Sequence, residues 1–271
     1  MTIGTRYQAM FARLAARHEG AFVPFVVLGD PDPETSLELV RALARSGADA
    51  LELGLPFSDP IADGPVIQAA ATRALARGVT TADGWQIIAA IRREFPELPI
   101  GLLVYANLVL HQGAARFYGT AAASGADSVL VADVPLLEGD PLADMARSKG
   151  IAPIFIAPPN ADEARLAAIG RQSAGYVYVT SRPGVTGADD QLHDDSSRLL
   201  RRLAELGSAP TLLGFGIATP EHVRNALSLG AAGAISGSAI VRHIERHPDG
   251  GAPLIEAVST FVRTMKEATC R

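Results

Sequence analysis

A single cysteine, Cys270, stands in 271 residues. That count excludes a disulfide framework or a cysteine metal site within the chain and suits a reducing compartment. Positive charge is not in excess. The formal net charge of −5 disfavours nonspecific binding to nucleic acid. The basic clusters Arg92–Arg93 and residues 198–202 fall in helical-looking stretches and read as solvated helix faces. Long apolar runs are also missing: residues 102–110 are interrupted by Asn107 and are too short to span a bilayer. The N-terminus lacks the basic, apolar, small-residue order of a signal peptide, so the expected location is cytoplasmic. No nucleophile elbow, P-loop or His-rich zinc motif occurs. His243 and His247 lie one turn apart on an expected helix, but with no third ligand nearby they read as surface histidines. Trp85, the one tryptophan, reads as packing.

What the chain does contain is a recurring unit. A helical stretch ends in a small-residue turn with Gly at the left-handed position, and a short, nearly unbroken apolar run follows. Such runs occupy residues 21–28, 50–53, 100–105, 128–131, 152–156, 176–180, 211–213 and 233–236. Helical stretches separate them, including 33–46, 114–124, 161–172, 195–205 and 220–229, with extra helix at 5–17, 81–94 and 253–268. Pro33, Pro65, Pro141 and Pro220 stand where helices would begin and where a missing N–H is tolerated. Eight alternating units in this length indicate an α/β fold of the (β/α)8 TIM-barrel type, one domain over residues 1–271. A doubly wound open sheet is the competing architecture. It would carry a Gly-rich nucleotide turn after the first strand, where this chain reads Leu28-Gly29-Asp30-Pro31-Asp32-Pro33. The polar stretch 181–194 reads as a mobile loop, not a domain boundary.

The most informative segment runs from Ala50 to Pro65: a short strand that breaks into a loop rich in Pro, Gly and Asp. Strand alternation puts Leu51 and Leu53 on one face and Glu52 on the other with Ala50. A carboxylate among small and apolar neighbours holds its proton more tightly, the profile of a general acid or base. An edge-strand Glu reaching water is the plainer alternative. Asp63 follows in the loop after the same strand; it suits either a second carboxylate with a distinct role or a local Asx-turn. The seventh and eighth strands lead into Gly214-Phe215-Gly216-Ile217 and Gly237-Ser238-Ala239-Ile240. This is where barrels of this class often bind phosphate, on backbone N–H groups and a helix N-terminus. Ser181-Arg182-Pro183-Gly184-Val185-Thr186-Gly187 after strand six suits a closing lid. Periodicity does not decide which side Tyr178 faces.

These motifs, with Phe22-Val23-Pro24-Phe25, Leu28-Gly29-Asp30-Pro31, Tyr105-Ala106-Asn107, Asp133-Val134-Pro135 and the run from Gly233 to Val241, closely resemble the tryptophan synthase alpha subunit family in order and over nearly the whole chain. The resemblance implies a TIM barrel that cleaves indole-3-glycerol phosphate to indole and glyceraldehyde 3-phosphate, a retro-aldol step in L-tryptophan biosynthesis. It implies Glu52 as the acid–base residue, Asp63 as the hydrogen-bond acceptor for the indole N–H, and Tyr178 as the residue that helps hold Glu52 and the substrate. Phe25 and Phe215 would line the indole pocket, Thr186 would meet Asp63 on lid closure, and Gly187, Gly216, Gly237 and Ser238 would bind the phosphate. No cofactor and no metal is implied. The implied partner is a pyridoxal-phosphate β subunit in an α2β2 assembly, contacted through the loop at residues 56–59.

Three departures from the family pattern are Val27, Pro183 and the stretch Leu136-Leu137-Glu138-Gly139-Asp140. They leave two further readings open: a stand-alone indole-3-glycerol-phosphate lyase of secondary metabolism, and a non-catalytic regulatory partner.

Overall fold

The computed structural model describes residues 3–180, 190–214 and 216–270, with side chains of 190–195 excepted. The strands are β1 (Ala21–Val27), β2 (Leu51–Gly54), β3 (Ile100–Val104), β4 (Ser128–Val131), β5 (Ala152–Ile154), β6 (Ile156–Ala157), β7 (Val177–Thr180), β8 (Thr211–Gly214) and β9 (Gly233–Ser236). The helices are α1 (Thr5–Ala16), α2 (Pro33–Arg45), α3 (Pro65–Ala76), α4 (Thr81–Glu94), α5 (Ala106–His111), α6 (Ala114–Ser124), α7 (Asp140–Ser148), α8 (Glu163–Gln172), α9 (Asp190–Glu205), α10 (Pro220–Ser228), α11 (Ser238–Arg246) and α12 (Gly251–Glu267). Among the described residues the named strands pair in parallel, in the order β5-β4-β3-β2-β1-β9-β8-β7-β6. The two ends of that order, β5 and β6, flank Phe155 in sequence, so they are halves of one barrel strand and the sheet closes on itself. The expected eight-stranded TIM barrel is therefore present, with its fifth strand interrupted. At the break the Phe155 N–H donates to Ser173 Oγ at 3.3 Å, while its carbonyl accepts from the Tyr178 N–H at 3.1 Å.

Local chemistry explains the element boundaries. Pro33, Pro65 and Pro220 open their helices, and Asp32, Asp162 and Thr219 cap α2, α8 and α10 by accepting backbone N–H bonds. Thr80 and Asp83 form a reciprocal capping box on α4. Gly125 closes α6 at φ 98°, a backbone state that L side chains rarely adopt. One expected boundary differs and one helix is additional to those expected. The strand expected at 100–105 ends at Val104, and the short helix α5 begins at Ala106. The helix expected from residue 195 begins at Asp190, so the loop read as reaching residue 194 is shorter, and residues 181–189 lie outside the described residues.

Strand alternation sorts the core into two layers. Leu51, Leu53, Val129, Val177 and Val179 pack outward with the helices. Ala50, Phe25, Leu130, Ile154, Tyr176, Tyr178, Leu212 and Ile235 fill the barrel interior, joined by Tyr7, Met10 and Leu14 of α1. Helix α1 thus plugs the N-terminal end of the barrel and leaves the C-terminal ends for chemistry. Tyr7 shares a 2.9 Å hydrogen bond with Ser128, and Arg6 pairs with Asp127 at 2.7 Å. Arg92, expected on a solvated face, is instead half-buried: it pairs with Asp127 at 2.6 Å and donates to the carbonyl of Gly125. Its long apolar stem and five donors let it cross from helix to barrel base. Trp85 packs edge-on against Phe117, as expected. No described helix is long and apolar enough to cross a membrane.

Candidate active site

Glu52 sits at the second position of β2, with Phe25 of β1 and Gly101 of β3 as its register partners. Its side chain shares the interior with Ala50, and only 1% of the residue is exposed. The edge-strand reading is therefore excluded. Oε1 accepts a 2.7 Å hydrogen bond from the Tyr176 hydroxyl. Oε2 is buried and has no hydrogen-bond partner among the described residues. Buried polar atoms without partners are rare and point to a strain, ligand or catalytic role. Burial pushes the Glu52 carboxyl up to about 7; the Tyr176 hydrogen bond opposes that rise and the charge of Asp63 adds to it. The Tyr176 phenol is itself raised well above its ordinary range, first by burial and then by the charge of Glu52, so it stays a donor.

Asp63 lies in the loop between β2 and α3, half-buried. Its Oδ2 accepts from the Tyr105 hydroxyl at 2.8 Å, and that hydroxyl accepts from the Ala62 N–H at 3.2 Å. Gln68 donates to the Asp63 carbonyl at 2.7 Å. The Asp63 side chain is thus held from the end of β3 through Tyr105, in addition to its local loop contacts. Burial raises its carboxyl and the Tyr105 bond opposes that rise. The charge of Asp63 reaches Glu52, and both carboxylates raise the phenol of Tyr178, so these three groups share one electrostatic environment.

Tyr178 faces the interior, which settles the side that periodicity left undecided. Its ring lies over Gly214 at the end of β8. A Cβ built on Gly214 would come within 2.1 Å of the Tyr178 hydroxyl oxygen, so any side chain there displaces the tyrosine. Phe25 is 6% exposed and links two sides of the barrel mouth. A Cβ on Gly54, past Glu52, would approach its ring to 3.0 Å, and one on Gly237 to 3.1 Å.

On that second side Gly237 leads into Ser238, the exposed first residue of α11. No side-chain cap occupies this helix start, so its first N–H groups face outward. Gly216 adopts φ 78°, which frees its backbone to turn at the end of β8. The structure therefore brings Glu52, Asp63, Tyr178 and Phe25 to one end of the barrel and sets Gly216, Gly237 and Ser238 on the neighbouring strands' exits. Thr186, Gly187 and Phe215 lie outside the described residues. No group of three potential metal-ligating side chains exists among the described residues. His243 is partly buried against Phe261, and its backbone carbonyl meets the His247 ring at 2.8 Å.

Tyr176 and Tyr105 were not singled out for roles from the sequence. Tyr176 shares its face with Tyr178, two positions on, and that parity was the available signal. Tyr105 closes the third apolar run at the rim.

Removing the Tyr176 hydroxyl tests the first partnership. Tyr176→Phe deletes the bond that favours ionised Glu52 and leaves the burial in place, so the Glu52 titration is expected to move upward from about 7. The pH–rate profile measures this directly; an unmoved midpoint would show that the bond does not tune the acid.

Comparison with known proteins finds relatives over nearly the whole chain. Residues 11–270 match the family model described as tryptophan synthase alpha chain. The tryptophan synthase alpha chain of Shewanella oneidensis is 55% identical over 265 residues, covering 98% of this chain and 95% of its own. That of Edwardsiella ictaluri is also 55% identical over 265 residues, covering 98% and 99%. Among solved structures, tryptophan synthase subunit alpha from Legionella pneumophila superposes with a TM-score of 0.88 at 30% identity, covering 97% of this chain and 98% of that one. A chain of the tryptophan synthase α2β2 complex of Pyrococcus furiosus superposes with a TM-score of 0.83 at 36% identity, covering 92% and 98%.

Proposed function

The chain belongs to the tryptophan synthase alpha chain family, and from that membership we propose that it cleaves indole-3-glycerol phosphate to indole and glyceraldehyde 3-phosphate as the alpha subunit of tryptophan synthase, acting as one barrel domain in L-tryptophan biosynthesis. The observation that carries this reading is the buried Glu52 carboxyl, held on one oxygen by Tyr176 and without a partner on the other among the described residues. A carboxyl with a pKa of about 7 supplies both protonation states near neutrality, as one group that gives and takes a proton needs.

In this mechanism Glu52 protonates the indole ring carbon that bears the glycerol phosphate chain, and it removes the proton from the adjacent side-chain hydroxyl. Asp63 accepts a hydrogen bond from the indole N–H and stabilises the positive charge that ring protonation places on the nitrogen. The protonated ring then takes up the electron pair of the breaking C–C bond, while the hydroxyl-bearing carbon becomes the aldehyde. Tyr178 and Phe25 flank the ring, with Phe215. The phosphate rests on the N–H groups of Gly216 and Gly237 and on Ser238, with Gly187, and Thr186 meets Asp63 when the lid closes. This chemistry calls on no cofactor or metal from the chain itself.

The β subunit is the expected partner, in an α2β2 assembly. Supporting this, the exposed apolar side chains Ile61, Leu110 and Leu137 follow β2, β3 and β4 along one arc of the rim. Phe57, in the expected contact loop, stacks on Tyr105 with ring centroids 5.3 Å apart, and Tyr105 holds Asp63. Movement of that loop would thereby reach a catalytic carboxylate. We place the protein in the cytoplasm, where its unpaired cysteine is at home.

The experiment is indole release from indole-3-glycerol phosphate by the chain alone and with β subunit. Release in both cases, greater with β subunit, is expected. No indole in either case would overturn the reading. A second prediction concerns the phosphate: Ser238→Asp is expected to raise KM about tenfold or more through like-charge repulsion, and an unchanged KM would remove Ser238 from the site.

A further inference from the structure

The two halves of the proposed phosphate cradle arise from different strands, and a buried side chain joins them. The β8–β9 register runs through Leu212↔Gly233 and Leu213↔Ala234. Beyond it the chains part, one toward Gly216, the other toward Gly237 and Ser238. Past that divergence the Ser236 hydroxyl donates to the Ile217 carbonyl at 2.6 Å, and Ser236 is fully buried. Each end of this bond lies one residue from a group assigned to the phosphate: Ile217 follows Gly216, and Ser236 precedes Gly237. The same turn is held a second time. The Ala218 N–H donates to His222 Nδ1 at 3.2 Å, from a ring on the first turn of α10 that is itself capped by Thr219. The Ile217 side chain adds an apolar anchor in the outer core.

We propose that Ser236 is a positioning residue for the phosphate group of the substrate, fixing the Gly216 turn against the start of α11, with His222 as the second pin of that turn. The inference rests on the phosphate assignment made above. An anion held by backbone N–H groups from two separate loops is bound well only while their spacing is kept, because the donors have no reach of their own. Losing the Ser236 hydroxyl leaves the buried Ile217 carbonyl without that donor and frees the turn to shift. The proton-transfer groups on β2 and its loop, and the ring contacts Phe25 on β1 and Tyr178 on β7, lie outside this turn; of the residues assigned to the ring, Phe215 borders it.

The test uses the α–β complex, with indole release from indole-3-glycerol phosphate as the assay and inorganic phosphate as a competing anion. Ser236→Ala is expected to raise KM, and the inhibition constant of inorganic phosphate with it, roughly tenfold, while kcat stays within about twofold. The affinity for indole, which lacks a phosphate, is expected to change far less than that for inorganic phosphate, within about twofold even though Phe215 borders the turn. His222→Ala is expected to act in the same direction, and His222→Asn, whose amide oxygen accepts an N–H bond, to restore much of the loss. Should Ser236→Ala fail to fold, the half-exposed His222 pair carries the same comparison. Unchanged KM and phosphate inhibition in both alanine variants would overturn the proposal, as would an equal loss of indole affinity, the mark of a general structural effect. If Ser238→Asp also leaves KM unchanged, the phosphate assignment itself fails; if Ser238→Asp raises KM and Ser236→Ala does not, only the positioning role is lost.

Discussion

Glu52→Gln is expected to lower the rate of indole release by about 10²–10⁴-fold, the usual worth of a placed acid–base group, and at the same time to make the folded chain more stable above neutral pH. The two effects share one cause. The Glu52 carboxyl is 1% exposed, and its pKa is raised from 4.5 to about 7 by burial, against the opposing Tyr176 bond. Raised in the folded state, the carboxyl favours folding most when protonated. That contribution is fully present below pH 4.5, declines as the pH rises toward 7, and is gone above it. A glutamine never ionises, so the variant escapes the penalty of a buried charge and keeps the Tyr176 hydroxyl as a donor to its amide oxygen. Its unfolding free energy at pH 8 is expected to exceed that of the wild type by about 1–3 kcal/mol, with the difference vanishing near pH 4. Denaturant unfolding at the two pH values measures it. A variant that loses activity without gaining stability at pH 8 would show that ionising the buried Glu52 carboxyl does not cost the fold stability.

Asp63→Asn is the second large effect. The amide keeps the size of the side chain and can still accept from Tyr105, but it loses the negative charge proposed to face the indole nitrogen. Charge developing on the ring in a largely water-excluded mouth is where a fixed countercharge matters most, so turnover is expected to fall on the order of 10²–10³-fold. Inhibition by inorganic phosphate should stay unchanged, since the proposed phosphate cradle lies across the barrel mouth. The variant also removes a charge that raises the Glu52 pKa, so any residual activity should show its Glu52 titration below that of the wild type. Near-normal turnover would return Asp63 to a loop residue that merely engages Tyr105.

What the sequence disclosed follows from which signals are local. Helix starts at Pro33, Pro65 and Pro220 and the turn at Gly125 are properties of a few adjacent residues, and they hold in the structure. The face taken by Glu52 followed from alternation with Leu51 and Leu53, because a short strand has a fixed period. Alternation could not choose a face for Tyr178, whose neighbours Val177 and Val179 are as apolar as an interior residue would be. The interruption of the fifth strand at Phe155 has no local mark; it depends on Ser173 reaching the Phe155 N–H from beyond α8. Helix α5 was hidden for a related reason: it follows the strand expected at 100–105 without a break in apolar character, and a buried strand and a short buried helix present the same composition. Arg92 looked solvated beside Arg93, and only the fold brings Asp127 to it. The partners of the two carboxylates, Tyr176 and Tyr105, come from other strands: barrel closure brings Tyr176 to Glu52, and the pairing of β2 with β3 brings Tyr105 to Asp63.

The most direct test of the central claim is a crystal structure of the chain bound to indolepropanol phosphate, a ligand that holds the ring and phosphate but cannot be cleaved. The predicted complex has the indole N–H within hydrogen-bond distance of Asp63, the ring between Phe25 and Tyr178, the free oxygen of Glu52 turned toward the substituted ring carbon, and the phosphate on the N–H groups at Gly216, Gly237 and Ser238. A ligand bound elsewhere, or bound here with its phosphate away from α11 and its ring out of reach of both carboxylates, would contradict it.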